Sequence, residues 1–498
     1  MSQQQKNDTQ DLTDPRQAKE HKLAQLKAQG INPYPPKFDR THTAAAIQAQ
    51  YEPLENGEET KDVVRVAGRI MAMRNNGMFI DLVDATNKVQ IFCHKDSMDE
   101  AALEQLKLYD IGDIIGAEGT MRRTPRGELS VRVTATTMLT KSLQPLPDKH
   151  AGLTDIETRY RQRYVDLIVN EQSRKTLRAR SKIIRFIRNY MDDMGAIEVE
   201  TPNLQAIMGG ASAKPFVTHH NALDSDFYLR VAPELALKRL IVGGLSDSVY
   251  EVGRCFRNEG ISIKHNPEFT SIEAYHAYFD YYDLMDLIED LVRKTVEHIH
   301  GTTIITFDKH EIDFGKPWRR ASMCDLIKEI TGLDFMAVET GAEAIELAKT
   351  KGVKMPDGTS WGAVVAEVFD ERCEAKMIQP THVMDLPVDV SPLAKVHRDN
   401  PRLTERFETY INGWEIANAF SELNDPEIQG LRFDEQVELG KNGDEEAQMK
   451  DDDYVTALEY GLPPTGGWGM GLDRLIMLLT NSSNIRDVIC FPTLKPLG

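Results

Sequence analysis

A chain of 498 residues is too long for one ordinary core, so two or more domains are expected. Hydrophobic residues make up 41% and charged residues 28%, the balance of a globular protein in water, and no apolar run approaches the ~18 residues of a membrane span. The formal net charge of −19 disfavours unspecific attraction to nucleic acid or anionic membranes, but leaves room for a local basic face.

The start, MSQQQKNDTQDLTDPRQ, lacks the apolar segment of a secretory signal. Residues 1–60 read as a polar, peripheral extension. Asp14-Pro15 starts a helix, Leu23 and Leu26 share one face, and Gly30 stops it before INPYPP. From residue 61 the texture changes to strands. VVRVAGRI puts Val64, Val66, Gly68 and Ile70 on one face, MFIDL repeats this with Met78, Ile80 and Leu82, and KVQIF with Val89 and Ile91. GDIIGAEGT and LSVRV follow, and five short strands with glycine turns predict a small closed barrel of the OB type over 61–145. With the apolar alternates inward, Phe79 and Gln90 face outward. An aromatic ring beside a two-sided amide suits stacking on and reading a base, or equally packing against a neighbouring domain.

LQPLPDKH (143–150) reads as a linker stiffened by Pro145 and Pro147. Residues 146–498 mix strands with amphipathic helices, and the helix-rich stretch at about 320–385 reads as an insertion. The cysteines (Cys93, Cys255, Cys324, Cys373, Cys490) are odd in number, far apart and form no C-x-x-C pair. That argues against a disulfide framework or a zinc site and fits a reducing cytoplasm.

One stretch, GRCFRNEGISIKHNPEFTSIEAY (253–275), concentrates chemistry. It reads as two strands joined by a polar loop. Arg257 and Glu259 share a parity, as do Phe269, Ser271, Glu273 and Tyr275. If the two faces coincide, one sheet surface offers a guanidinium for a phosphate, a ring for a flat heterocycle, and carboxylates. His265, in the loop, would reach further phosphates. The plainer alternative is an ion-paired surface hairpin. No G-x-x-x-x-G-K-[ST] occurs, and GGWGMGLDR (466–474) lacks the third glycine of G-x-G-x-x-G. It reads instead as a strand running into a helix. Its glycines let the backbone approach a ligand, and Arg474 falls in the first helical turn.

These segments resemble the class II aminoacyl-tRNA synthetases, and within that class the lysyl-tRNA synthetases. FRNE with HNPEF is similar to the class's motif 2, GMGLDR to motif 3, and MGAIEVETPNL, with Pro202, to motif 1 at the dimer interface. RYRQRYVDLI, GGASAKPF, APELALKRL and ANAFSELND resemble stretches of the lysine enzymes, so the likeness runs along nearly the whole chain. It implies an α+β protein with an N-terminal anticodon-binding OB-fold barrel and a catalytic antiparallel sheet flanked by helices. A homodimer in the cytoplasm that joins lysine to tRNA(Lys) with ATP and Mg²⁺ is implied too. By motif position, Arg257 would hold the ATP α-phosphate and Phe269 would stack on adenine, with Arg474 on its other side. Glu259, His265 and Asn266 would complete the ATP site. Glu408 and Glu415, in FETYINGWEI, would bind Mg²⁺. Gly210, Glu234, Arg257, Glu273, Tyr275, Asn418, Phe420 and Glu422 would surround the amino acid. Phe79, Gln90 and Glu128 match anticodon-reading positions, which favours the functional reading of Phe79.

Burying a lysine side chain requires anionic partners, and Glu234, Glu273 and Glu422 would supply them. An aspartate pocket would present arginine or lysine to the substrate instead. Glu415 and Asn418 differ in parity, so an unbroken strand cannot aim both at one face; a bulge or an edge position near Gly413 would reconcile them. Three rivals share parts of this pattern. An aspartyl or asparaginyl enzyme is opposed by the glutamates. A protein-modifying paralogue is opposed by the barrel. A decayed, non-catalytic module is opposed by the presence of Arg257, Glu408, Glu415 and Arg474 together.

Overall fold

The computed structural model describes residues 14–147, 153–443 and 446–497. The first residues of the polar extension and the last three of LQPLPDKH lie outside the described residues. The chain divides into two units, 1–154 and 155–498.

In the first unit, Asp14 caps the helix Pro15–Ala28 by accepting from the Arg16 amide, and Gly30 follows in the left-handed region. Leu26 of this helix and Ile47 and Tyr51 of the helix Ala44–Tyr51 are buried in the same core as the strands. Those strands are β1 (Glu59–Arg74), β2 (Phe79–Val83), β3 (Lys88–Phe92), β4 (Ile114–Arg123) and β5 (Leu129–Thr140). They close into a barrel in the order β1-β2-β3-β5-β4, with β3 and β5 parallel. Val64, Val66, Ile70, Ile80, Leu82, Val89 and Ile91 fill its interior, as alternation predicts. Met78 departs from the expectation. It lies in the turn before β2 and is only part-buried, because positive-φ backbone at Asn75, Asn76 and Gly77 turns the chain there.

The second unit is built on an eight-stranded sheet. In chain order its strands are β6 (Ile197–Glu198), β7 (Ser248–Phe256), β8 (Glu268–Ala277), β9 (Arg319–Ser322), β10 (Thr381–Met384), β11 (Arg406–Ile411), β12 (Trp414–Ser421) and β13 (Thr465–Gly471). Across the sheet the order is β9-β10-β11-β12-β13-β8-β7-β6. Pairing is antiparallel through the centre and parallel at both edges, β9 with β10 and β6 with β7. The helix Tyr281–His300 opens with a capping box at Asp280 and buries Leu284, Ile288, Leu291 and Val292 in the main core. Trp468 and Met470 of β13 and Ile272 and Ala274 of β8 meet that core from the sheet. Helices Met323–Thr331, Gly341–Lys349 and Trp361–Arg372 fill the connection between the parallel strands β9 and β10, with a core of their own against Val383 and Tyr410.

Candidate active site

The face of the sheet opposite the main core carries a cleft, and its shape follows from the register. β13 reads TGGWGMG. Its core-facing positions are Trp468 and Met470, so Gly467, Gly469 and Gly471 all fall on the cleft side. Three glycines in a row leave a furrow, and larger side chains flank it. Phe420 and Tyr275 stand on either side of Gly467, Asn418 and Glu273 on either side of Gly469, and Ser271 beside Gly471. On the next strand Cys255 pairs with Phe269 and Gly253 with Ser271. The two faces of the 253–275 hairpin therefore coincide, and Arg257 projects onto the same surface although β7 ends at Phe256.

At the hairpin end, the Arg257 guanidinium carbon lies 5.2 Å from the Phe269 ring centroid. Its Nε is buried without a hydrogen-bond partner, which leaves a donor free for an anion in the cleft. The loop is pinned from below. The Asn266 side chain donates to the Glu268 carbonyl at 2.6 Å and accepts from the Thr493 amide at 3.3 Å, and the Arg257 amide donates to the Pro267 carbonyl at 2.9 Å. Arg474 donates to His265 Nε2 at 2.9 Å and to the Glu415 carbonyl at 2.8 Å. Burial, with the Arg474 charge beside it, holds His265 below its usual pKa. Asp473, which the sequence reading did not single out, accepts from the Thr270 amide at 2.8 Å and is ion-paired with Arg180, tying the hairpin to the helix Glu171–Asp193.

The parity conflict between Glu415 and Asn418 is solved by a bulge three residues beyond Gly413. Asn412 and Gly413, both at positive φ, form the two-residue turn joining β11 and β12. The register slips further on, where Thr409 pairs with Ala417 but Tyr410 with Glu415, leaving Ile416 as the extra residue. Glu415 and Asn418 thereby join Glu408 on one face. Glu408 pairs with Asn418 on that face, beside the cleft, and accepts from Arg406 at 2.7 Å and from Tyr410 at 2.7 Å. Burial raises its carboxyl, opposed by the Arg406 charge and reinforced by Glu415.

At the other end the carboxylates are arranged differently from the simple anionic pocket expected. Glu234, in the first turn of the helix Glu234–Val242, accepts from Lys238 Nζ at 2.6 Å. Lys238 is also ion-paired with Glu422, which is buried on the cleft side of Gly467. Two of the three glutamates thus share a cation of the protein's own. The reading from sequence missed Lys238; its i, i+4 spacing from Glu234 in APELALKRL was the available signal. Glu273 lines the cleft, and Tyr275 donates to it at 3.3 Å. Burial, with Glu234 beside it, pushes the Glu273 carboxyl up to about 8. The Gly210 amide is taken by Gln448 Oε1 at 3.2 Å.

Arg257, Glu259, His265, Asn266, Phe269, Arg474, Gly210, Glu234, Glu273, Tyr275, Glu415, Asn418 and Phe420 therefore line one cleft, with Glu408 and Glu422 beside it on the same face. In the barrel, Phe79 and Gln90 lie on the outer surface, with the Phe79 ring 5.1 Å from Phe92. Gln90 is not the open amide expected. It is 8% exposed, lying between cross-strand neighbours Asp81 and Ser130. Glu128 is exposed and 3.5 Å from Lys88.

Two family profiles match the chain. The one described as tRNA synthetases class II (D, K and N) covers residues 155–495, and the one described as OB-fold nucleic acid binding domain covers 64–139. Among curated proteins, the lysine–tRNA ligase of Sinorhizobium medicae (strain WSM419) is 50% identical over 480 residues, 96% of each chain. That of Gloeobacter violaceus is 51% identical over 490 residues, 97% of this chain and 98% of the relative. That of Carboxydothermus hydrogenoformans is 50% identical over 478 residues, 95% and 96% of the two. A cleft with an unpaired guanidinium at one end and carboxylates at the other, on this sheet and beside an OB-fold barrel in sequence, agrees with what those matches describe, and the chain belongs to the class II tRNA synthetases, in the lysine–tRNA ligase family.

Proposed function

We propose that the chain is a lysine–tRNA ligase whose cleft activates lysine with ATP and whose barrel engages the tRNA(Lys) anticodon. The observation that carries the reading is the cleft's polarity. A part-buried arginine with its Nε unpaired, beside an aromatic ring, lies at one end, and Glu234, Glu273 and Tyr275 lie at the other. ATP would lie over the hairpin, with its α-phosphate at Arg257, its adenine between Phe269 and Arg474, and His265 toward the outer phosphates. Lysine would lie over Gly469, its ammonium groups toward the carboxylates and its side chain reaching toward Tyr275 and Phe420, while Glu422 and the Tyr275 ring fill the space over Gly467.

In the first step the lysine carboxylate attacks the α-phosphorus, giving lysyl-adenylate and pyrophosphate. In the second, a terminal ribose hydroxyl of the tRNA attacks the mixed anhydride, releasing AMP. The attacking carboxylate is already ionised, so the protein's work is alignment and charge neutralisation. Arg257 holds phosphate charge, Arg474 holds the adenine, and Asn418, fixed by Arg406 at 2.9 Å, helps to shape the floor.

Glu408 and Glu415 suit Mg²⁺. Both offer hard oxygen donors on one face, and Mg²⁺ is characteristically held by one or two carboxylates together with substrate phosphates. Among the described residues no cluster of three or more His, Cys, Asp or Glu side chains could hold a metal by itself, which fits binding that is completed by ATP. Bound there, Mg²⁺ would neutralise charge on the triphosphate.

We further propose a homodimer formed through β6 and its flanks. Met194, Ile197 and Leu204 are 40%, 42% and 45% exposed along a sheet edge, an arrangement that a twofold partner would cover. Sedimentation equilibrium tests it; a monomer at micromolar concentration would refute it. No helix among the described residues is long and apolar enough to cross a membrane, and we place the activity in the cytoplasm.

The test of the site is Arg257→Ala. The variant should melt like the parent and lose lysine-dependent ATP–pyrophosphate exchange. Near-native exchange would remove Arg257 from the α-phosphate.

A further inference from the structure

The inner end of the cleft contains a cation that the activation chemistry does not use. Lys238 is fully buried. Its Nζ donates to Glu234 at 2.6 Å, is ion-paired with Glu422, and lies 5.8, 5.4 and 5.8 Å from the ring centroids of Tyr275, Phe420 and Tyr454. The carboxylates it joins come from different elements, the helix Glu234–Val242 and the end of β12. Glu422 Oε1 makes no hydrogen bond and touches the cleft floor, since a Cβ built on Gly467 would stand 2.0 Å from it. An acceptor left open there, beside one ion-paired with Lys238, is what an incoming ammonium requires.

We propose that Lys238 is a specificity-determining positioning residue, which fixes Glu234 and Glu422 and sets the charge of the pocket to receive a single side-chain ammonium. The inference rests on the lysine-activating reading above. Burial raises the Glu422 carboxyl well above its usual range and Lys238 opposes that shift; with both carboxylates ionised the trio of Glu234, Glu422 and Lys238 is short of one cation, which the substrate supplies. Without Lys238 two buried carboxylates would face each other, and burial would drive one to its neutral form. A neutral carboxyl must then give up its proton before it can receive the ammonium.

The remaining charged and titratable neighbours do not replace it. Burial opposes charge on Lys238, but Glu234 and Glu422 outweigh it and hold the ammonium above its usual pKa. Tyr275 and Tyr454 are both raised by burial and stay neutral phenols. Glu273 adds negative charge if ionised. Arg239, 5.5 Å from the Tyr454 ring, is held by Asp451 at 2.8 Å.

The experiment compares the full-length wild type with Lys238→Met in two measurements. In ATP–pyrophosphate exchange, the variant's KM for lysine should rise by about tenfold or more, because a buried pair has lost one partner. Its KM for ATP should stay within about twofold. In calorimetric titration with lysine, run in buffers of different ionisation enthalpy, the variant should release about one more proton per lysine bound than the wild type. If Lys238→Met does not yield folded protein, Lys238→Gln, which keeps a hydrogen-bonding head, is held to the same two expectations. An unchanged lysine KM without extra proton release would overturn the proposal. So would a parallel rise in both KM values with a lowered melting temperature and no extra proton, which is the mark of a merely structural lysine. A wild type that fails to activate lysine would sink the functional reading itself, a result distinguishable from either.

Discussion

Replacing Gly467 by alanine puts a methyl group where the floor of the cleft has no room. The new Cβ would stand 2.0 Å from Glu422 Oε1 and 2.5 Å from Tyr275 Cε1. Real contacts of this kind begin near 3 Å, so the carboxylate, the ring or β13 must move by about 1 Å in a close-packed interior. Glu422 is not free to swing aside, since it is buried and ion-paired with Lys238. Overpacking of this sort costs about 1–3 kcal/mol. If the distortion falls mainly on the amino-acid end of the cleft, that is about a 5- to 150-fold rise in the KM for lysine. The same strand supplies its own scale. At Gly469 a Cβ would meet Glu273 Cγ at 3.3 Å, a contact that a small adjustment relieves, and at Gly471 the nearest atom is Arg474 Cδ at 4.0 Å. The expected order of damage to the lysine KM is therefore Gly467→Ala, then Gly469→Ala, then Gly471→Ala. Exchange kinetics with lysine and ATP varied separately would check it. A Gly467→Ala protein with the parental lysine KM, or one whose ATP KM rises as much, would refute the assignment of Glu422 and Tyr275, which fill the space over this glycine, to the lysine end of the cleft.

Three other perturbations separate the parts of the account. Phe79→Ala should raise the KM for tRNA by about 5- to 150-fold, the worth of one stacked base, while leaving tRNA-independent exchange untouched. Loss of exchange instead would mean that the ring serves the fold. Glu273, pushed up to about 8 by burial and by Glu234, sits far above its unfolded value of about 4.3. Its protonated form favours the fold, so its contribution is full below the unfolded value and fades as pH climbs through about 8. Lysine-free protein should lose melting temperature across that window, Glu273→Gln should flatten the loss, and the wild-type lysine KM should fall as pH approaches about 8. Identical melting profiles in the two proteins would contradict this. Glu415→Gln should increase the Mg²⁺ needed for half-maximal exchange, and an unaltered requirement would remove Glu415 from metal binding.

The legible part of this protein was whatever alternation alone controls. Strand parity put Phe269, Glu273 and Tyr275 on one face without knowledge of neighbours, whereas the pairing of β13 with β8 was needed to bring the glycines of GGWGMG to the same surface. Whatever depends on a neighbour was hidden. The bulge at Ile416 is set by how β12 pairs with β11, and a sequence offers no register. Gln90 faces outward as parity requires, yet the adjoining strands cover it, because alternation gives direction and not depth. Lys238 is the sharpest case. A glutamate and a lysine four apart on a helix normally form an exposed pair worth a few tenths of a kcal/mol. Here the same spacing is buried under Phe420, Tyr275 and Tyr454, where its electrostatic weight is of a different order.

The most direct test of the central claim is amino-acid-dependent ATP–pyrophosphate exchange without tRNA, with lysine, aspartate and asparagine assayed side by side. Exchange with lysine alone is the predicted result, because the pocket lacks one cation and offers none to a substrate carboxylate. Exchange with aspartate or asparagine would preserve the ATP site at Arg257 and contradict the carboxylate pocket at Glu234, Glu273 and Glu422.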